Sequence, residues 1–240
     1  MGQVFLVRHG QASFGAADYD QLSEVGLEQS RLLGAWFAGS GQRFGRVVTG
    51  SLKRHAQTAR ACLDALPAGE RPAGGWTVDP GFDEYDHEEV LRRHRPEMAD
   101  PVAARAALER EANPRRAFQK IFEEAMARWM DGAHDAEYRE SWPAFRARCA
   151  GGLRRVVEAA EASQSTLVFT SGGPIAAICQ DLLGVPDRHA AELNFSLVNS
   201  AVTKLLHGTG RNGAARVSLS YLNNFAHLEQ TGQVQTITYR

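Results

Sequence analysis

The sequence predicts an α/β fold, a three-layer sandwich in which a mainly parallel sheet is flanked by helices. Three short apolar runs rich in β-branched and aromatic residues, at 4–7, 47–49 and 166–170, have the length and composition of buried strands. Each is followed by a longer segment in which apolar residues recur with helical spacing, an alternation typical of parallel sheets. Ligands of such sheets lie beyond the carboxyl ends of the strands, so the loops after these runs are where a site is expected.

The other elements follow from the same pattern and from residues that begin and end helices. Ser23 is a candidate N-cap for a helix that ends near Gly39, and Ser51 for a helix that extends through Leu63. A later helix is predicted from Pro174, directly after two glycines. The remaining elements are expected as strands at 76–78, 202–206 and 217–222, the last two as a hairpin-like pair, and as a helix at 145–162.

The segment 83–142 differs in composition from the rest of the chain. It is rich in Glu, Arg and Ala, with amphipathic stretches at 103–111 and 117–130 and breaks at several prolines. We interpret it as a mostly helical insertion over the edge of the sheet and over the active site. The whole chain, 1–240, is then expected to form a single domain that carries this insertion as a lid.

Composition and charge limit the classes of partner. The 240 residues include 27 basic and 28 acidic side chains, a formal net charge of −1, so no overall positive field is available to attract nucleic acid or an anionic membrane. The pattern of a signal sequence and a membrane-spanning apolar run are both missing. The three cysteines are far apart and fit neither a disulfide framework nor a metal site. We therefore expect a cytoplasmic protein that recognises a small anion through a few placed arginines.

The first predicted strand ends abruptly in Arg8, His9 and Gly10. Arginine has a planar, permanently charged fork that matches phosphate oxygens. A neutral histidine can act as a nucleophile through one ring nitrogen when the other is held by a hydrogen bond. Glycine lets the backbone pass close to a ligand. The alternative is an ordinary polar strand end, because a tripeptide alone is a weak signal.

Arg54 is a second candidate. It follows Ser51 in the first turn of a predicted helix, where the backbone N–H groups and the helix dipole also favour an anion. The alternative is a solvated residue on the helix surface.

Glu84 is a candidate acid. It follows the third predicted strand, where a carboxyl group could protonate a leaving oxygen. Asp86, His87 and Glu88 crowd the same stretch, so a solvated acidic turn is the alternative.

Taken together, the motifs resemble the histidine phosphatase superfamily, which includes the cofactor-dependent phosphoglycerate mutases. The resemblance runs from the first strand to the last. It is carried by RHGQ at 8–11, LSEVG at 22–26, SLKRHAQTA at 51–59, FDE at 82–84, ESWPAFRAR at 140–148, SGGPI at 171–175 and LNNFAHL at 222–228.

The resemblance implies a mechanism and a class of substrate. His9 would attack phosphorus and form a phosphohistidine, while Arg8 and Arg54 neutralise the phosphoryl oxygens. Glu84 would protonate the departing alcohol and then assist water. The substrate would be a small phosphorylated molecule or a phosphoprotein, and neither a metal nor another cofactor is implied.

One position departs from the pattern of the family. The family usually has a second histidine before the Gly-Gly pair, and this chain has Ser171. A hydroxyl can donate one hydrogen bond to a phosphoryl oxygen, but it carries no positive charge. The backbone from Ser171 through Gly172 to Pro174 still forms a plausible anion cradle at a helix start.

Three other histidines are candidate substitutes for the missing one. His55 is expected to point about 100° away from Arg54 on the helix, which makes it a poor candidate. His87 would share a face with Glu84 if that turn were helical, and it remains an outside possibility. His227 is expected to be structural, so Ser171 itself is favoured as a direct and weaker replacement.

Three functions therefore stand open. A phosphomonoester hydrolase of the histidine acid phosphatase type, with activity reduced by Ser171, is the leading hypothesis. A catalytically decayed phosphate-binding or scaffold protein is favoured only by Ser171. A phosphoglycerate-type mutase is disfavoured, because ASFGAADYD at 12–20 replaces the Asn- and Trp-containing stretch of the mutases that the chain resembles.

Overall fold

The structure of the protein is a computed structural model that describes residues 1–13, 18–100, 102, 104, 108–110, 112–161, 163–210 and 215–239. Its centre is a six-stranded sheet. The strands are β1 (Gly2–Arg8), β2 (Arg46–Thr49), β3 (Thr77–Val78), β4 (Ser165–Thr170), β5 (Val202–Thr209) and β6 (Ala215–Asn224). Their order is β3-β2-β4-β1-β5-β6. The first four strands in that order are parallel to one another. Strand β5 runs antiparallel to β1, and β6 runs antiparallel to β5. The predicted mainly parallel sheet is confirmed.

Eight α-helices surround the sheet in the described part of the chain. They are α1 (Glu24–Gly39), α2 (Lys53–Asp64), α3 (His87–His94), α4 (Pro114–Met130), α5 (Trp142–Glu158), α6 (Gly172–Leu183), α7 (Asp187–Ser196) and α8 (Ala226–Glu229). None of the helices in these described ranges is both long enough and apolar enough to cross a membrane.

Side chains that alternate along each strand divide the core into two layers. Phe5 and Val7 of β1 pack with Leu33 and Phe37 of α1 and with neighbouring residues of α2. Their neighbour Leu6 points to the opposite face, against α5 and α6. This alternation follows from the two-residue period of a strand, and it confirms the three-layer sandwich.

The parallel register brings three loops to one edge of the sheet. Arg8 at the end of β1 pairs with Thr170 at the end of β4, and Thr49 at the end of β2 pairs with Phe169. The residues that follow these strand ends therefore emerge side by side. They begin at His9, Gly50 and Ser171.

Helix starts are where the structure departs most from the predicted elements. Pro114 and Pro143, predicted as breaks, lie in the first turns of α4 and α5, where proline is well tolerated because the N–H it lacks has no partner there. Helix α6 begins at Gly172, two residues before the predicted start. Ser51 does not cap α2; the N-cap is Leu52, and the Ser51 hydroxyl bonds Asp83 instead. Helix α7 was not predicted, since its short sequence is only weakly periodic.

The segment 83–142 is helical over the described parts. Helix α3 packs against α4, and Trp129 of α4 joins a buried aromatic cluster with Tyr85, Trp142 and Phe145. Most of the predicted helix 103–111 lies outside the described residues. The role of this segment as a lid within a single domain stays a prediction.

The pH dependence of stability tests the burial of His227, which is fully buried with Nε2 2.8 Å from the Ser200 hydroxyl. Burial lowers its pKa from 6.5 to about 3. Below pH 6.5 the His227 side chain therefore binds a proton in the unfolded chain but stays neutral in the folded chain. Proton binding to the unfolded chain lowers the free energy of unfolding as the pH falls from 6.5 toward 3, and above pH 6.5 this loss is absent.

We expect the unfolding free energy of the wild type to fall between pH 6 and 4 more steeply than that of His227→Leu, by up to about 1.4 kcal/mol per pH unit. Urea unfolding at a series of pH values measures both slopes. Parallel slopes for the two proteins would contradict the assignment.

Candidate active site

Strand β1 delivers His9 to the carboxyl edge of the sheet. The backbone N–H of His9 donates to the carbonyl of Thr170 at 2.8 Å, which extends the pairing of β1 with β4 by one residue. The His9 carbonyl accepts hydrogen bonds from the Asn199 side-chain amide and the Ser200 backbone N–H, both at 3.2 Å. The backbone of His9 is thus fixed on two sides.

The His9 ring is held in one tautomer. Nδ1 lies 2.7 Å from the carbonyl oxygen of Gly10, and because a carbonyl only accepts, Nδ1 carries the hydrogen. Nε2 is left with its lone pair. Burial lowers the pKa of the imidazole well below its usual value, and the charges of Arg54 and Arg8 lower it further. The result is a neutral ring whose free nitrogen is a potential nucleophile.

Arg8 presents a guanidinium that is only partly satisfied by the protein. Nη1 donates to the carbonyls of Leu197 and Tyr239, the second at 3.1 Å. Nε is buried and has no hydrogen-bond partner among the described residues. A buried cationic donor without a partner is costly, and a bound anion would satisfy it.

Arg54 lies in the first turn of α2 and has the same character. Its Nη1 donates to Asp20 Oδ1 at 2.8 Å, while its buried Nε lacks a partner within the described chain. The Thr58 hydroxyl, one turn later, bonds the Arg54 carbonyl at 2.7 Å and accepts from the Gly10 backbone N–H at 3.0 Å. The first turn of α2 is thereby tied to the loop that follows β1.

Glu84 lies at the other side of this group. It follows a 3₁₀ turn, Pro80–Phe82, which the Thr170 hydroxyl anchors by a 2.6 Å bond to the Phe82 carbonyl. Its carboxylate accepts from the backbone N–H groups of Gly173 and Tyr85, both at 3.3 Å.

Burial raises the pKa of Glu84, and the charges of Arg54 and Arg8 oppose the rise. Glycine is required at position 173, because a Cβ there would overlap Glu84 Oε1. The carboxyl group thus faces the backbone that begins α6.

Ser171 and Gly172 form the turn between β4 and α6. Both are buried, and Ser171 has the backbone conformation of an N-cap without a side-chain capping bond. An ideal Cβ on Gly172 would lie 3.5 Å from Arg8 Nε, so this backbone runs directly beside the unpaired donor of Arg8. The predicted anion cradle therefore lies beside Arg8.

The prediction that α2 turns His55 away from the site is wrong. His55 is fully buried, its Nε2 lies 2.7 Å from Ser171 Oγ, and its ring centroid lies 5.9 Å from that of His9. The argument from the 100° rotation assumed that only one face of the helix meets the site. In the structure both residues of the first turn of α2 have long-range partners: Arg54 bonds Asp20, and His55 reaches Ser171.

His87 occupies a different place from the one predicted. Glu84 precedes α3, and His87 is the first residue of that helix, so the two do not share a helical face. The His87 ring lies 5.9 Å from that of Tyr19, which also lies 5.9 Å below the Arg54 guanidinium. The imidazole that reaches Ser171 is that of His55, while His227 bonds Ser200 and packs near Trp36.

Sequence reasoning missed the carboxylates that position the site. Asp20 pairs with Arg54, and its second oxygen accepts from the Lys53 backbone N–H at 2.8 Å. Asp83 accepts from both the backbone N–H and the hydroxyl of Ser51. The aspartates in DYDQL and FDEYD were visible in the sequence, but the long-range pairing that gives them partners was not.

No three His, Cys, Asp or Glu side chains among the described residues come together in an arrangement that could hold a metal ion. The two arginines and the Glu84 carboxyl group are the ionisable side chains that act on one another here. Each alters the pKa of another member of the group through its charge. This arrangement can hold an anion between two guanidinium groups, with an imidazole and a carboxyl group beside it.

Residues 4–219 match the sequence model of the histidine phosphatase superfamily (branch 1). The match covers most of the chain, from within β1 to the middle of β6. The chain belongs to the histidine phosphatase superfamily.

Solved structures share its fold. A phosphoserine phosphatase mutant from Entamoeba histolytica, in complex with phosphoserine, is 16% identical with a TM-score of 0.64, and the match covers 95% of this chain and 100% of that one. A phosphoglycerate mutase from Bacillus anthracis is 15% identical with a TM-score of 0.62, covering 97% of each chain. A mycobacterial glucosyl-3-phosphoglycerate phosphatase is 20% identical with a TM-score of 0.60, covering 93% and 99%. No curated protein sequence matches the chain.

The state of the His9 ring can be tested directly. At pH 6.5, where a free imidazole is half protonated, we expect His9 to be neutral with its hydrogen on Nδ1. Nitrogen-15 NMR of the histidine rings, with His9→Gln for assignment, distinguishes the tautomers. A His9 signal that titrates at or above pH 6.5, or one with the hydrogen on Nε2, would contradict the geometry.

Proposed function

We propose that the protein is a phosphomonoester hydrolase that acts through a phosphohistidine at His9. The observation that carries the proposal is a neutral imidazole with a free Nε2, close to two arginines whose buried Nε atoms each lack a partner among the described residues. Each feature has a chemical use only if a tetrahedral anion lies among them. Membership in the histidine phosphatase superfamily supports the same reaction class.

The proposed reaction has two displacements at phosphorus. His9 Nε2 attacks the phosphoryl group as the ester P–O bond breaks, and protonated Glu84 transfers its hydrogen to the leaving alcohol oxygen. Water then attacks the phosphohistidine while the Glu84 carboxylate takes a proton from it. The P–N bond breaks, phosphate leaves, and His9 is again neutral. The raised pKa of Glu84 supports its part, since a general acid must be protonated near neutral pH.

The arginines stabilise charge without moving far. Arg8 is held by backbone carbonyls through Nη1, and Arg54 by Asp20, so that Nε of each remains to bond a phosphoryl oxygen. The backbone N–H groups at the start of α6 add donors and a favourable helix dipole. Preorganised donors of this kind supply most of the rate enhancement in phosphoryl transfer.

A hydrolase is proposed in preference to a mutase. Both activities occur among proteins of this fold, as the phosphatases and the phosphoglycerate mutase show. The segment 12–20, which follows RHG, lacks the Asn- and Trp-containing stretch of the mutases that the chain resembles.

The proposed substrate is a small phosphorylated molecule or a phosphoprotein, with neither nucleic acid nor membrane as a partner. The near-zero net charge supports the exclusion of large polyanions. A cytoplasmic location belongs to the same proposal, and the three free cysteines support it.

A phosphate-binding scaffold is the second candidate, because Ser171 stands where the family usually has a histidine. A binding protein needs the two arginines, but it has no use for a tautomerically fixed imidazole beside a carboxyl group whose pKa is raised by burial. These two features favour the enzyme.

Replacing His9 tests the enzyme. We expect wild-type protein to hydrolyse p-nitrophenyl phosphate between pH 5 and 8, and His9→Ala to fall to the background rate because no phosphohistidine can form. His227→Leu serves as a matched control, since it also removes a buried imidazole but leaves the reaction centre intact. Equal rates for wild type and His9→Ala would refute the enzyme, and binding of inorganic phosphate by both would then support the scaffold.

The acid role of Glu84 predicts a dependence on the leaving group. Glu84→Gln is expected to lower kcat on an alkyl phosphate about a hundredfold, and on p-nitrophenyl phosphate much less, because p-nitrophenolate departs without a proton.

For alkyl phosphates, the wild-type rate should decline as the pH rises through the raised pKa of Glu84, since the protonated acid is then lost. The Gln variant should lack that decline. Equal losses on both substrates would assign Glu84 a role other than the acid.

A further inference from the structure

Ser171 and His55 form a closed pair next to the proposed nucleophile. Ser171 Oγ and His55 Nε2 are 2.7 Å apart, and both residues are 0% exposed. Because no solvent reaches the hydroxyl, water does not compete for its hydrogen. That hydrogen goes either to the imidazole or to an anion bound beside it.

Other residues hold the His55 ring in place. Gly50 is tightly packed against it, since a Cβ at position 50 would overlap Nδ1. Nδ1 has no hydrogen-bond partner in the described chain, and the nearest carboxylate oxygen, Asp83 Oδ1, lies 3.9 Å away. Asp83 is itself fixed by two bonds from Ser51. The ring therefore has one charged neighbour on its Nδ1 side and a hydroxyl on its Nε2 side.

We propose that His55 is a positioning residue that acts through Ser171, and that this imidazole–hydroxyl pair replaces the second histidine that the family usually carries before the Gly-Gly turn. In this arrangement the imidazole has moved to the first turn of α2, and the hydroxyl of Ser171 bridges it to the phosphoryl group. The inference rests on the proposed phosphatase function.

The hydrogens of the pair can be placed in two ways. In the first, the Ser171 hydroxyl donates to Nε2, and the Nδ1 hydrogen faces the Asp83 carboxylate. In the second, Nε2 carries a hydrogen and donates to Ser171 Oγ, so the hydroxyl hydrogen is free to donate to a phosphoryl oxygen. Asp83 favours the first state in the empty site, and an anion favours the second.

If His55 gains a proton, the hydrogen bonds of both states form at the same time. Nδ1–H then faces Asp83, Nε2–H donates to Ser171 Oγ, and the hydroxyl donates to the phosphoryl oxygen. The groups around the ring are Arg54, His9 and Asp83. Burial lowers the pKa of His55 well below its usual value, and Arg54 lowers it further, so the ring is neutral without a ligand. A phosphoryl group offsets the charge of Arg54 and so makes this proton easier to hold.

The chain contains a natural control for the pair. His227 and Ser200 are likewise 0% exposed, with Nε2 and Oγ 2.8 Å apart and Nδ1 unpartnered among the described atoms. His227→Leu therefore removes the same kind of buried bond without removing a group that faces the phosphoryl site. Its partner Ser200 holds the His9 carbonyl through the backbone N–H, which the substitution leaves in place. It separates loss of stability from loss of function.

The experiment measures kcat and KM for Ser171→Ala, His55→Leu, the double variant, His55→Gln and His227→Leu. We expect each of the first two to lower kcat about a hundredfold, with little change in KM, because the donor strengthens in the transition state. The double variant should lose no more than either single variant, because the two residues act as a unit.

His55→Gln should recover about tenfold over His55→Leu, since its amide can still donate to Ser171 Oγ. His227→Leu should keep the wild-type kcat even where its loss of thermal stability equals that of His55→Leu.

Three outcomes overturn the proposal: additive losses in the double variant, no recovery in His55→Gln, or an equal fall of kcat in His227→Leu. Failure of the phosphatase function is seen separately, as equal rates for wild type and His9→Ala. In that case the Kd of inorganic phosphate is measured for the same variants. Equal and non-additive weakening in Ser171→Ala and His55→Leu supports the pair, whereas an unchanged Kd overturns it.

Discussion

The parallel pairing of β1 with β4 is the constraint on which the site depends. It sets Arg8 opposite Thr170, and the next hydrogen bond, from the His9 N–H to the Thr170 carbonyl, places the imidazole beside the turn that begins α6. The same strand β4 pairs with β2, which brings α2 and Arg54 to the same edge. A one-residue slip in this register would send every inward side chain to the opposite face, so the hydrophobic pattern of β1 and β4 also fixes the chemistry at their ends.

Burial biases the protonation states of the site. It lowers the pKa values of His9 and His55, which favours neutral imidazoles, and it raises that of Glu84, which favours the protonated acid. The site therefore combines two guanidinium groups with a free lone pair and a carboxyl group whose protonated form is favoured by burial. In an exposed arrangement of the same residues, desolvation would not shift these pKa values, and solvent would screen each interaction.

Much of the fold could be predicted from the sequence, because strand and helix periods depend on local patterns. Arg8, His9, Arg54 and Ser171 could be proposed as site residues from the sequence, since each follows a strand or opens a helix. The failures concern relations between distant segments. The placement of His55 depends on the angle at which α2 meets the sheet, and the partners of Asp20 and Asp83 depend on loops that are distant in sequence. Helix periodicity fixes which residues share a face, but it does not fix what that face meets.

The close packing around two glycines has an evolutionary consequence. At Gly50 and Gly173 the backbone lies against His55 and Glu84 so tightly that an alanine at either position would displace one of these side chains. Amino-acid substitutions in such a site are confined to positions where one side chain can take over the hydrogen bond of another. Under the proposed pairing, positions 55 and 171 form such a couple, since a loss at one can be offset only by a neighbour already within reach. Substitutions there are expected to be inherited jointly, as epistatic pairs, whereas the glycines around them stay invariant.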